Sequence, residues 1–211
     1  MIPDKNEWIK ALEERHGKKL QNKISSSTVA ICGLGGLGSN IAILLARVGV
    51  GKLILIDFDK VDITNLHRQQ YKACQIGMYK TEALTYNLKE IAPYLETEIH
   101  TVRMDENNFS ELLQSADIIC EAFDNAQAKA NIVNFVLSEM PTKYIVAASG
   151  MAGWDSANLI KTRKVTKHFY LCGDEKSDVA DGISLVASRV SVCASHQANM
   201  VLRIISENFE E

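Results

Sequence analysis

Thr28-Val-Ala-Ile-Cys32-Gly33-Leu-Gly35-Gly36-Leu-Gly38, followed by Lys52-Leu-Ile-Leu-Ile-Asp57, decides the fold. The first five residues are a short β-prone run, the glycines break it, and Leu37 to Val48 carries apolar residues suited to a helix. The order is strand, tight turn, helix. Lys52 to Asp57 is a second apolar strand, reached over a connection long enough for a βαβ crossover, and the handedness rule sets it parallel to the first. Gly33, Gly35 and Gly38 match G-x-G-x-x-G, and Asp57 ends the second strand nineteen residues after Gly38. In such a turn glycines let the backbone approach phosphate, the helix N-terminus offers N–H groups, and the acidic residue accepts ribose hydroxyls. Alone, the fingerprint points as readily to a nicotinamide dinucleotide as to another nucleotide.

Downstream the alternation continues. Tyr79 to Ile91 reads as a helix, Thr97 to Val102 as a strand and Phe109 to Leu113 as a short helix. Asp117 to Ala122 and Tyr144 to Ala148 are further strands around a helix over Ala126 to Met140. This predicts an α/β, doubly wound, Rossmann-like and mostly parallel sheet with helices on both faces. From Gly150 the texture changes. Ala157 to Thr162 and Lys167 to Leu171 read as a small antiparallel extension, followed by a Gly/Asp-rich loop to Gly182 and a helix from Ser188 to Glu207. Upstream, Trp8, Ile9, Leu12, Leu20 and Ile24 among charges predict one amphipathic helical lead-in over Asn6 to Lys23. The expectation is one domain over 1–211: lead-in 1–24, core 25–150, tail 151–211.

Composition bounds the function. At 211 residues one domain buries roughly 70% of the surface of its unfolded chain. With 46% hydrophobic and 23% charged residues the chain reads as globular, and a net charge of -3 gives no basic footprint for nucleic acid. The polar start, Met1 to Lys10, lacks the apolar stretch of a signal peptide, and Ile41 to Val50 is too short to span a bilayer. A cytoplasmic protein is expected, with no membrane partner. Five cysteines (Cys32, Cys74, Cys120, Cys172, Cys193) without C-x-x-C spacing argue against a disulfide framework and a thiolate zinc site.

After the fingerprint comes Asp57-Phe-Asp59-Lys-Val-Asp-Ile-Thr-Asn65-Leu-His-Arg68-Gln69-Gln70, then Lys80 in Gly77-Met-Tyr-Lys80, and Asp124-Asn125 behind a later strand. Arg68 offers a planar fork for phosphate oxygens, Lys80 a compact charge and Asn65 an uncharged donor. A dehydrogenase keeps its pyrophosphate intact and has no need of that set, whereas a departing pyrophosphate has. Asp124, at a strand's C-terminal end, suits Mg²⁺ through hard oxygen ligands, with Asp59 assisting.

In that order these elements resemble the ThiF/MoeB/HesA family of ubiquitin-activating-like adenylyltransferases, over about residues 25 to 150. Within it the chain is similar to the short ThiF proteins, which act on the sulfur carrier ThiS in thiamine biosynthesis. The resemblance implies ATP and Mg²⁺ as ligands and adenylation of a small ubiquitin-like carrier's C-terminal carboxylate, with release of pyrophosphate. It also implies a homodimer and a sulfur donor protein as a further partner. Gly33, Gly35, Gly36, Gly38, Asp57, Asp59, Asn65, Arg68 and Lys80 would bind nucleotide. Arg68, Lys80 and Asp124 would carry catalysis, with Asp124 on the metal. Family members carry an arginine near the N-terminus that reaches the phosphates of the neighbouring subunit, and Arg15 is the match. Longer members hold structural zinc on two C-x-x-C pairs; this chain lacks them, so no zinc is expected. Cys172, after the expected hairpin, is the candidate for an exposed thiol, read as structural or incidental because no basic residue adjoins it. His196 on the final helix reads as structural. Rival readings are an NAD-dependent oxidoreductase, a non-catalytic scaffold or nucleotide sensor, and a cousin adenylating another carrier of MoaD type or a tRNA-linked carboxylate.

Overall fold

A computed structural model describes residues 2–179 and 182–209. Ala180 and Asp181, within the expected Gly/Asp-rich loop, lie outside the described residues.

The opening residues make two helices. Asp4 caps α1 (Lys5–His16) by accepting from the Asn6 and Glu7 amides, and Glu7 returns the bond to the Asp4 amide. Gly17, at φ 82°, then breaks the run before α2 (Lys18–Ser26). The single lead-in helix is therefore corrected to a pair bent at a glycine, the residue that most easily adopts positive φ.

β1 (Thr28–Cys32), α3 (Gly36–Arg47) and β2 (Lys52–Ile56) form the expected unit, with β1 and β2 parallel. α4 (Lys80–Ile91), β3 (Glu96–His100), α5 (Phe109–Leu113), β4 (Ile118–Glu121), α6 (Ala126–Glu139) and β5 (Tyr144–Ala148) continue the alternation. Side chains of a strand alternate between faces, so β1 and β2 supply two cores. Val29, Ile31, Leu53 and Leu55 pack on one side with α3, α4 and α7 (Ala187–Ser206). Ala30, Cys32, Ile54 and Ile56 pack on the other with Phe109 and Leu113 of α5 and Ile132 and Val136 of α6. Near-continuous apolar strands are what burial on both faces demands.

The tail differs from expectation in two respects. First, Ala157–Leu159 forms a 3-10 turn, so that the strand expected over Ala157 to Thr162 starts only at Lys161. Second, β6 (Lys161–Lys164) and β7 (Phe169–Gly173) do pair antiparallel, but β7 also pairs parallel with β5. The antiparallel pair thus completes a single seven-stranded sheet in the order β3-β2-β1-β4-β5-β7-β6. β6 is its outer edge, four residues long and carrying Lys161, Arg163 and Lys164, which guard an edge against further pairing. No helix among the described residues is long and apolar enough to cross a membrane.

Candidate active site

The strand order reverses between β1 and β4, and open α/β sheets bind ligands at that point, beyond the strands' C-terminal ends. A cleft of about 470 Å³ lies there. Gly33 follows β1 at φ 92°, and a Cβ on it would come within 2.8 Å of the Ala122 carbonyl oxygen behind β4. The two strand ends approach this closely only because position 33 carries no side chain. A Cβ on Gly38 would sit 1.8 Å from the Gly33 carbonyl oxygen, so the first turn of α3 folds directly onto the loop. The N-terminus of α3, with Gly35, Gly36 and Leu37, lines the cleft and leaves its first amides without helical partners.

Asp57 is buried and braces this loop. One carboxylate oxygen accepts from the Leu34 amide at 2.6 Å and the other from the Asp59 amide at 2.8 Å. Burial pushes its carboxyl up from the ordinary value, while the charge of Lys80 and the two amides pull it down. Lys80 is the first residue of α4 and is 5% exposed, with Nζ 2.8 Å from Asp59 Oδ2. A cation at a helix N-terminus opposes the helix dipole, so its placement there is a cost carried for another purpose. Asp59, expected to assist Asp124, is thereby engaged with Lys80 and lines the same cleft as Asp124.

Arg68 and Asn65 come from the turn after β2. Asn65 ends a 3-10 turn (Ile63–Asn65), and its carbonyl accepts from the Arg68 and Gln69 amides, each at 3.1 Å. The Arg68 stem passes beside Gly36 at the helix start, and its Nη1 donates to the Thr64 carbonyl at 3.1 Å. Arg68 Nε and Gln69 Oε1 are buried without a hydrogen-bond partner among the described residues. Both side chains line the cleft. Buried polar atoms left open at a cleft wall are the kind a ligand satisfies.

The opposite wall follows β4. Asn125, not Asp124, caps α6 by accepting from the Ala128 amide at 2.9 Å. Asp124 lines the cleft with its side chain exposed. Among the described residues no group of three or more His, Cys, Asp or Glu side chains is arranged to hold a metal. One open carboxylate fits Mg²⁺, which keeps most of its waters and takes one or two carboxylates together with substrate phosphates. Below Asp124, Glu121 is fully buried, and Lys129 Nζ lies 2.9 and 3.0 Å from its two oxygens. Burial raises the Glu121 carboxyl above its ordinary value, and Lys129 opposes that rise.

The cleft thus gathers Gly33, Gly35, Gly36, Asp57, Asp59, Asn65, Arg68, Lys80 and Asp124; Gly38 stands one turn behind, packed on Gly33. Arg15 is not brought in. It is exposed near the end of α1, whose Trp8 and Leu12 line a second hollow at the N-terminal ends of the strands, away from the cleft. The expected exposure of Cys172 is corrected, while its reading as structural fits the core it packs in. Cys172 is fully buried, packed in the core with its thiol pushed up to about 11 by burial, because β7 is an interior strand. Cys74, in a 3-10 turn, is the exposed cysteine. His196 Nδ1 lies 2.9 Å from Thr162 Oγ1, and burial lowers its pKa. Gln69, Arg103, Lys129 and the loop from Ser149 to Ala152 also line the cleft and were not singled out. Gln69 stood inside the quoted Asn65-to-Gln70 stretch. The others carry no spacing signal, since they meet the site only through the fold.

A profile described as the ThiF family matches residues 10–211. The adenylyltransferase and sulfurtransferase MOCS3 of Caenorhabditis briggsae is 34% identical over 146 residues, 68% of this chain and 35% of that protein. The molybdopterin-synthase adenylyltransferase of Haemophilus influenzae is 36% identical over 110 residues, 52% of this chain and 45% of that protein. The chain therefore spans less than half the length of these curated relatives. Among solved structures, E. coli tRNA N6-threonylcarbamoyladenosine dehydratase, TcdA, in complex with ATP superposes with a TM-score of 0.87 over 98% of both chains at 17% identity. E. coli MccB with ATP gives 0.70 over 89% of this chain and 58% of that one at 22% identity. At such identities the likeness establishes the fold.

Proposed function

The chain belongs to the ThiF family, and from that premise we propose that it adenylates a carboxylate with ATP, the carboxylate being the C-terminus of a small ubiquitin-like sulfur carrier of ThiS type. One observation carries the reading: Arg68, Lys80 and Asp124 converge on one cleft beside the glycine turn. A nicotinamide site needs no such set of charges.

Under this reading the α3 N-terminus and Gly35–Gly36 cradle phosphate, and Asp57 fixes the loop and faces the ribose. Arg68 and Asn65 donate to phosphate oxygens. Lys80 exchanges its contact with Asp59 for the charge that develops as the carboxylate attacks the α-phosphorus and the bond to pyrophosphate breaks. Products are the acyl-adenylate and pyrophosphate. Asp124 would hold Mg²⁺, which supplies charge neutralisation on the phosphates. Positioning and electrostatics account for most of the acceleration. In a homodimer Arg15 would act on the neighbouring subunit's cleft, and a sulfur donor would act after adenylation.

Carrier-dependent exchange of labelled pyrophosphate into ATP tests the proposal, alongside calorimetry with Mg-ATP and with NAD. Exchange and tighter Mg-ATP binding are expected; tighter binding of NAD would overturn it. A second reading, a carboxylate borne on tRNA, draws on the basic edge formed by Lys161, Arg163, Lys164 and Lys167 and on the full-length likeness to the tRNA-modifying dehydratase. The carrier stands first because Arg163 is paired with Glu175 and short lysine-rich edge strands have an ordinary structural reason. Exchange that requires tRNA and ignores carrier proteins would reverse that order.

A further inference from the structure

We propose that Glu121 and Lys129 are a positioning pair: by locking the turn between β4 and α6 they set where the Asp124 carboxylate stands, and with it how strongly metal joins the bound nucleotide. The proposal rests on the adenylation reading and names residues that reading leaves unused.

The geometry is a chain of fixed points. Glu121 Oε1 accepts from the Phe123 amide at 2.7 Å as well as from Lys129. Gln197 Nε2, from α7, donates to the Glu121 carbonyl at 2.9 Å and to the Val146 carbonyl at 3.1 Å. The Phe123 ring lies against Gly33, where a Cβ would stand 3.1 Å from it. On the far side Asn125 is fixed as the cap of α6. Asp124 therefore sits between two anchored residues, and its own carboxylate is left facing the cleft.

Lys129 lines the cleft, yet it is not free to bind phosphate. An ammonium has three donors, and here they meet both Glu121 oxygens and the Ala148 carbonyl at 3.1 Å. The pair carries no net charge, and the fully buried carboxylate cannot follow its partner outward. A lysine whose donors are all spent on the strand ends acts by holding them.

ATP binding to the full chain, measured by calorimetry with Mg²⁺ and with chelator, tests this in Glu121→Gln, Lys129→Met and Lys129→Arg. Both neutral variants should lose about tenfold of the metal-dependent gain in affinity, the scale for a residue supporting a metal ligand. Their metal-free ATP affinity should stay at the wild-type value, and Lys129→Arg should keep most of the metal response. Direct contact between Lys129 and phosphate predicts the opposite: without metal, Lys129→Met binds ATP more weakly and Glu121→Gln more tightly, and that pattern overturns the proposal. An unchanged metal response in folded variants also overturns it. Should a single variant not fold, Glu121→Leu with Lys129→Met removes both charges together and must show the same loss. A wild-type chain with no metal-dependent ATP binding would overturn the adenylation reading itself, and this proposal with it. A normal wild-type response beside unaltered variants sinks this proposal alone.

Discussion

Two lysine–carboxylate pairs stand on facing walls of the cleft, and they are built in opposite senses. In Lys80–Asp59 the cation is the hidden partner, with side chains 7% and 46% exposed; in Lys129–Glu121 the acid is, at 23% and 0%. If Asp59 turns to water, the hidden lysine still has the Asp57 carboxylate in its field, whereas a carboxylate sealed under a strand end is left with amide donors alone once its lysine is gone. The first pair is suited to exchange Asp59 for a phosphate. The second is suited to hold the wall still. The same two chemical groups thus serve a reacting site or its scaffold according to which one meets solvent.

The largest expected effect tests the first half of that contrast. Lys80→Ala and Arg68→Ala should each lower carrier-dependent pyrophosphate exchange by about a hundredfold or more, the scale for removing one donor to developing charge. Circular dichroism should show a folded chain in both. Near wild-type exchange in the Lys80 variant would mean that the hidden cation is structural, and the contrast would collapse.

Next in size is the stability of the second pair. Lys129→Met leaves a buried acid without its cation and should cost about 3 kcal/mol in denaturant unfolding at neutral pH. The loss should depend on pH. Glu121 already titrates above the ordinary glutamate value of 4.5, chiefly through burial, and Lys129 is what restrains that rise. Removing Lys129 lets the carboxyl climb further, so the folded variant keeps its proton to higher pH than the unfolded chain. The deficit relative to wild type should therefore be small in acid and grow as pH rises past the wild type's own raised value, where the wild-type carboxyl ionises beside Lys129 and the variant's does not. A deficit independent of pH would point to lost packing and not to the buried charge.

How far the sequence reveals this site follows from the same contrast. Lys80, Arg68 and Asn65 lie close along the chain behind the glycine turn, so their spacing carries their placement. Glu121 and Lys129 are also near in sequence, but Glu121 reads as one residue of an apolar strand. Only the sheet order, which sets β4 beside β1, shows that its end meets Gly33. The strands of the core were legible because burial on both faces makes them apolar runs. The tail was legible as an antiparallel pair but not as part of the main sheet, since no local pattern states that β7 pairs with β5. That single non-local pairing also buries Cys172, which sequence context alone had set in a polar hairpin exit.

The smallest effect belongs to Asp59→Asn, and it sharpens the comparison by its size. The Asp59 side chain is nearly half exposed, so water already solvates the acid and screens its attraction for Lys80, and a pair open on one side contributes less than one whose acid is sealed. Asparagine keeps the shape, and the residue's amide still donates to Asp57 Oδ1. Lys80 also stays within the field of Asp57, whose carboxyl it already pulls down. Unfolding in denaturant should therefore shift within about 1 kcal/mol, and the shift should shrink as salt is raised, because screening acts on open pairs far more than on sealed ones. The same salt series should leave the Lys129→Met deficit nearly unchanged. If Asp59→Asn proved as costly as Lys129→Met, or resisted salt equally, the two pairs would be equivalent and the open one would have no reason to yield its lysine to phosphate.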